Sequence, residues 1–354
     1  MKLFNCSNCG QLVYFENSRC ERCGHSLGFN PFTLSQSSLI PIDDTWFYLL
    51  NDDKKLQYRY CSNHVWDVCN WLTRESYFCI ACSLNRMIPD LTSLDYRARW
   101  TTIETAKHRL IYSLLRMGLP LISKIVDVQK GLSFDFIADD ASSGERVLTG
   151  HANGHITINI AEADDIEREL MRRSMHEPYR TVLGHFRHEI AHYYWERLIE
   201  NSIYIDEFRS LFGDDRNDYG AALNTYYQYG PHPDWRLNYI SAYATAHPWE
   251  DWAETWAHYL HIIDTLETAY AFGLKVHPYI ANDSPVLNTE INVDPYTIEN
   301  FEEIFNLWVP ITIALNSLNR SMGLSDLYPF VIGPSVINKL SFIHNVCRGV
   351  QTFH

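Results

Sequence analysis

The pentapeptide His188-Glu189-Ile190-Ala191-His192 holds the residues best suited to chemistry in this 354-residue chain. Histidines four apart stand a little over one helical turn apart, so on a helix both imidazoles project from one face, roughly 6 Å apart along the axis. That spacing lets two neutral imidazole nitrogens hold one Zn²⁺ at about 2.0–2.1 Å. Glu189 sits beside the pair, where a carboxylate can take a proton from metal-bound water. The stretch from Tyr179 to Ile199 reads as one helix, with Phe186, Tyr193, Tyr194 and Trp195 around the motif. A solvated helix with a chance histidine pair would not carry that aromatic content, so the helix is expected to be buried and metal-binding.

Catalytic zinc normally takes three protein ligands and one water, so a third donor must come from elsewhere. The segment His247-Pro248-Trp249-Glu250-Asp251-Trp252-Ala253-Glu254 reads as the start of a second helix, with Pro248 in its first turn. Glu250 and Glu254 share one face of it, and the surrounding Trp and Ala residues indicate burial, where a carboxylate needs a cation. Glu250 is the expected third ligand. Glu254 is expected to accept the N–H of a ligating histidine behind it. Residues 193–249 separate His192 from Glu250, and Asp206 and Glu207 among them are competing acids.

Eight of the nine cysteines precede residue 83. Cys6-x₂-Cys9 and Cys20-x₂-Cys23, each followed by Gly, form a zinc-ribbon pattern in which metal replaces a core as the source of folding energy. Cys61, Cys69, Cys79 and Cys82 form a second set with less regular spacing, in which His64 could stand in for one thiolate. The expected ions are one catalytic and one or two structural Zn²⁺. Cys347 reads as a buried small apolar residue.

Several elements must position these groups. Trp100 to Met117 is amphipathic, with Ile103, Ala106, Leu110, Leu114 and Met117 on one face, stopped by Gly118 and Pro120. Strand-like runs follow at Leu132–Ile137, at Arg146–Leu148 after a turn at Ser143-Gly144, and at His155–Ile160 after Asn153-Gly154. The last precedes the metal helix, and an open strand edge there could pair with an extended substrate backbone. Gly28 to about Ser38 reads as a connector, and Gly213 to Gly230 as an aromatic loop. Glu177-Pro178 leads into the metal helix. Ile298–Met322 and Ser335–Cys347 read as amphipathic helices completing the core, and Gly273–Asp294 as a long loop.

A net charge of −14 and a pI near 5.5 argue against nucleic acid as a partner, because phosphate binding needs a basic surface. No run of 18 apolar residues suggests a membrane span, and no apolar segment follows Met1-Lys2-Leu3-Phe4, so a cytoplasmic protein with reduced cysteines is expected.

Glu250-x-x-Ala253-Glu254 resembles the glutamate-helix motif of gluzincins, in which the first glutamate ligates zinc. In a gluzincin of this kind a tyrosine seven residues earlier stabilises the oxyanion, so the resemblance assigns that role to Tyr243. Cys69-Asn70-Trp71-Leu72, Thr149-Gly150-His151, Gly184 to Glu189 and His247 to His261 resemble the putative zinc-binding metallopeptidase family with an N-terminal zinc ribbon. That likeness spans nearly all of residues 1–290. The expected fold class is α+β, a mainly helical zincin-like metallopeptidase domain (94–354) preceded by a zinc ribbon (1–30) and a second cysteine-rich module (31–93). The expected function is zinc-dependent hydrolysis of an amide bond in a peptide or protein substrate, with Glu189 as general base. The alternatives are a catalytically silent zincin-fold scaffold whose ribbon contacts a protein partner, and a transcription-associated ribbon protein, which the acidic charge disfavours.

Overall fold

A computed structural model describes residues 2–139, 147–174, 180–279 and 287–351. The expected turn at Ser143-Gly144 and the Glu177-Pro178 junction lie outside the described residues. The chain mixes helices and strands and divides into two compact units, Met1–Arg116 with Pro120–Arg168, and Met117–Leu119 with Glu169–His354.

In the first unit β1 (Phe4–Asn5) pairs with β2 (Leu12–Val13), closing the first cysteine knuckle. Gly10 and Gly24 each follow a knuckle with φ near +75°, a conformation a side chain would strain. Five antiparallel strands follow, β3 (Leu27–Asn30), β4 (Ser35–Pro41), β5 (Phe47–Leu49), β6 (Gln57–Tyr60) and β7 (Leu72–Thr73). The stretch from Gly28 to Ser38, expected as a connector, is therefore a hairpin. Its Gln36 and Ser38 face inward to serve polar partners. Ser38 Oγ lies 3.3 Å from Cys6 Sγ, and Gln36 donates to the Phe15 carbonyl at 2.7 Å. This sheet also runs through the position 30/31.

After β8 (Asn85–Met87) comes α1 (Leu94–Arg116), whose Ile103, Leu110 and Leu114 are fully buried as their spacing requires. Tyr112 of α1 joins Phe15, Phe29 and Trp71 in one aromatic core, with Phe15–Phe29 centroids 4.8 Å apart and Phe15–Tyr112 5.4 Å. The cysteine-rich segment thus shares its core with α1, and both lie in the first unit.

The same unit holds β9 (Ser133–Ile137), β10 (Gly150–Ala152) and β11 (His155–Asn159), in the order β10-β11-β9-β8. Of the two readings of the run at His155–Ile160, an open edge or an ordinary sheet strand, the structure shows the second. The turn at Asn153-Gly154 folds β10 back on one side of β11, and β9 pairs parallel on the other. Then α2 (Asp165–Ser174) starts under the cap of Asp164, whose side chain accepts from the Ile166 N–H at 2.9 Å.

The second unit is helical. α3 (Val182–Tyr194) starts at Thr181, whose hydroxyl accepts from the Gly184 N–H at 3.0 Å, and continues as one wide π turn, Trp195–Ile199. α4 (Ile205–Phe212) and α5 (Tyr219–Tyr229) follow. α5 occupies the expected loop: Asp218 caps it by accepting from the Ala221 N–H at 2.7 Å, and Gly230 ends it. None of its residues is buried, so it lacks the apolar stripe that announces a helix. α6 (Pro248–Phe272) is the central element, and α3, α4, α7 (Phe301–Ser321) and α8 (Pro334–Gln351) pack on it. β12 (Lys275–Val276) and β13 (Thr289–Glu290) form a short ladder in the expected long loop. Cys347 is buried on α8. Among the described residues, no helix is long and apolar enough to cross a membrane.

Candidate metal centre

Helices α3 and α6 bring the two histidines and the glutamates together. Their packing is set by large side chains: Trp252 donates its indole N–H to the Ala191 carbonyl at 2.8 Å, and Tyr194 stacks on Trp256 with centroids 5.2 Å apart. Arg187 forms a buried ion pair with Asp264. These contacts hold the histidine face of α3 against the first turns of α6.

His188, His192 and Glu250 form one group whose donor atoms all lie within 4.8 Å of one another. The two imidazole centroids are 5.1 Å apart. His188 Nε2 is 3.0 Å from Glu250 Oε2, and His192 Nε2 is 3.7 Å from Glu250 Oε1. Ligands around a tetrahedral zinc with bonds near 2.05 Å are about 3.3 Å apart, so these separations suit one ion. Asp206 and Glu207 lie exposed on α4 and join no such group among the described residues.

The hydrogen bonds around the group assign the tautomer. Glu254 accepts from His188 Nδ1 at 2.7 Å, while its other oxygen accepts from the Ser241 hydroxyl at 2.6 Å. With a proton on Nδ1, Nε2 of His188 faces the buried Glu250 Oε2 at 3.0 Å. Two facing lone pairs repel unless a cation or a proton lies between them. The donor set fits a divalent metal.

Electrostatics sort the carboxylates. Burial alone would raise Glu250, but the His192 and His188 rings outweigh it and bring the carboxyl down to about 2. Glu254 is likewise penalised by burial and lowered overall by His188 and then Ser241. For Glu189, burial outweighs the lowering by His188, and with the Glu250 and Glu254 charges adding to it the carboxyl is pushed up to about 7. A carboxylate of that basicity suits proton transfer near neutral pH. Burial also raises the Tyr243 and Tyr219 hydroxyls, with the Glu250 charge adding to it, so both remain proton donors.

Tyr243 begins a short 3₁₀ turn, with its ring centroid 6.0 Å from that of His188. Tyr219, at the start of α5, donates its hydroxyl to Glu250 Oε1 at 2.7 Å. Neither Tyr219 nor Ser241 was singled out in the sequence. Trp249, whose ring centroid lies 5.0 Å from that of His192, was named there only for the burial it signals.

The two cysteine sets are separate clusters in the first unit. Cys6, Cys9, Cys20 and Cys23 form one, with Cys6–Cys23 and Cys9–Cys20 sulfurs 3.6 Å apart. Cys61, Cys69, Cys79 and Cys82 form the other, wholly buried, with Cys69–Cys79 sulfurs at 3.7 Å. A ZnS₄ tetrahedron with bonds near 2.3 Å has edges of about 3.8 Å. His64 is not part of this cluster. Its ring stacks on Tyr60 at 3.8 Å, and its Nδ1 bonds the Cys69 carbonyl at 2.8 Å. All nine cysteines are free thiols.

Residues 96–346 match the family model described as "Putative zinc-binding metallo-peptidase". The chain belongs to that family. Residues 3–93 match a zinc-ribbon domain, which covers all eight clustered cysteines. A protein of Mycobacterium tuberculosis and one of Mycobacterium bovis, each described as uncharacterised, are 43% identical over 351 residues, 98% of this chain and 95% of theirs. No solved structure matches. The metallopeptidase-family segment contains the whole α3–α6 group, including Tyr219 and Ser241. A signal for Tyr219 was present, since the aspartate before it starts a helix, but nothing in the spacing says which of the tyrosines at 219, 226, 227 and 229 turns toward the glutamate.

Proposed function

We propose that the protein is a zinc-dependent peptidase of gluzincin type, with a zincin-like arrangement of α3 and α6, hydrolysing an amide bond in a peptide or protein chain. One observation supports this most: two imidazoles and the buried Glu250 carboxylate converge, and Glu254 orients one imidazole from behind. A zinc ion held by His188, His192 and Glu250 supplies Lewis acidity toward water and a carbonyl oxygen. Glu189, on the turn between the two histidines, takes the proton of the attacking water and returns it to the leaving amine. Tyr243 donates its hydroxyl to the developing oxyanion. Tyr219 restrains Glu250 by its hydrogen bond, and Ser241 does the same for Glu254.

The cysteine-rich segment offers a surface for a protein partner, and the free thiols suit the reducing cytoplasm. Glu189→Gln is the decisive variant. It should keep its full zinc complement yet lose hydrolysis of an unstructured peptide mixture, followed by mass spectrometry. Equal turnover by Glu189→Gln and the parent would remove the mechanism, and a parent inactive on every peptide mixture would favour the silent scaffold.

A further inference from the structure

The second cysteine cluster has a neighbour outside the zinc-ribbon segment. His108, on α1, is buried, and its Nε2 lies 3.3 Å from Cys69 Sγ, 3.6 Å from Cys82 Sγ and 4.0 Å from Cys79 Sγ. Its contacts within 4.0 Å include three of the four sulfurs and not Cys61. In a tetrahedral ZnS₃N centre, with bonds near 2.3 and 2.05 Å, nitrogen and sulfur are about 3.5 Å apart. The three observed distances bracket that value. His108 thus caps the face formed by Cys69, Cys79 and Cys82, while Cys61 completes the group of four with the same three sulfurs.

The other nitrogen of the ring points the same way. Nδ1 is 2.6 Å from the Glu104 carbonyl, which can only accept, so Nδ1 carries a proton; once Nε2 is deprotonated, as metal binding requires, its lone pair faces the sulfurs. Metal-ligating histidines commonly donate their second N–H to a carbonyl in this way. Glu104 itself is held elsewhere, by Lys107 Nζ at 2.7 Å, Trp100 Nε1 at 3.1 Å and Asn85 Nδ2 at 2.5 Å. Its carboxylate nevertheless lies in one group with Cys82 and His108, beside the same cluster. A cavity of about 110 Å³ reaches the cluster, lined by Phe15, His64, Cys69, Asn70, Thr105 and His108 among others. It provides an entry path for an ion.

We propose that the second cluster is a five-donor metal site in which His108 Nε2 can take the place of Cys61 beside Cys69, Cys79 and Cys82. One ion then ties the cysteine-rich segment to helix α1 in either ligand set, and loss of the Cys61 thiolate does not release it.

The test uses the full-length chain loaded with Co²⁺, with bound metal counted and thiolate-to-cobalt absorption recorded. Cys61→Ser should stay folded and bind as many ions as the parent, with charge-transfer absorption reduced by one thiolate's share. Cys61→Ser/His108→Ala should lose one ion per chain, and Cys69→Ser should lose the same ion because both ligand sets need that sulfur. An unfolded Cys61→Ser, loss of an ion from Cys61→Ser alone, or equal metal content in Cys61→Ser and the double variant would each overturn the proposal. In the ¹¹³Cd-loaded Cys61→Ser protein, scalar coupling between cadmium and the ¹⁵N-labelled His108 Nε2 should be seen, and its absence would count equally against it.

Discussion

Glu250 and Glu254 are the same residue type one helical turn apart, and only their distances to the histidines separate their roles. Glu250 faces the Nε2 atoms of both rings, whereas Glu254 holds Nδ1 of one. Glu250→Ala removes one of three donors with its charge and should leave the centre largely without zinc. Glu254→Ala keeps all three donors and only loosens His188, which typically costs about 10–100-fold in metal affinity or activity. Zinc retention of both variants under graded chelator checks this. If Glu254→Ala loses zinc while Glu250→Ala holds it, the two roles are exchanged.

Helix α6 carries these carboxylates, and its stability depends on what is buried beneath them. Asp251, the next residue round the helix, is fully buried and pairs with Lys339 of α8 at 2.5 Å. Lys339 also donates to the Asn238 carbonyl at 2.7 Å, so α8 anchors both the site helix and the segment leading into it. Burial outweighs Lys339 and Thr255 and pushes the Asp251 carboxyl up to about 7. Lys339→Ala leaves that carboxylate buried without its cation, and losing one member of such a pair costs about 3–5 kcal/mol. Urea denaturation should show a correspondingly lower midpoint for the unfolding of this unit. A loss below about 1 kcal/mol would mean that the pair is solvated or replaced. By contrast, α5 buries nothing and reaches the site through Tyr219 and through Tyr226, whose ring packs on Tyr243, so its other apolar residues should tolerate substitution.

Among the described residues, two four-cysteine clusters and the α3–α6 group imply about three zinc ions. Replacing Cys6 and Cys9 with serine should remove one and leave the other two, because the three donor groups share no residue. Elemental analysis giving one ion or none for the intact protein would sink this assignment. The cysteine-rich segment should also not fold alone when cut at residue 93, since Phe15, Phe29 and Trp71 pack on Tyr112 of α1. A fragment 1–93 with zinc should show no cooperative thermal transition, whereas 1–168 should show one.

Residue type and short spacing are enough to pick out candidate metal groups. The i, i+4 histidines, the i, i+4 glutamates and the paired C-x₂-C knuckles are local patterns, and helix or turn geometry alone puts their side chains on one side. The amphipathic face of α1 was legible for the same reason. Long-range pairing was not. The Gly28–Ser38 hairpin looked like a linker because its serines and glutamine contact Cys6 and distant carbonyls, partners that no window of sequence contains. The second edge of β11 is closed by a parallel strand 22 residues earlier. His108, Tyr219 and Ser241 stand beside thiolates or carboxylates only after separate helices and turns have packed. Tertiary structure decides which polar side chain meets a buried charge, because only the completed core excludes the water that would otherwise satisfy it.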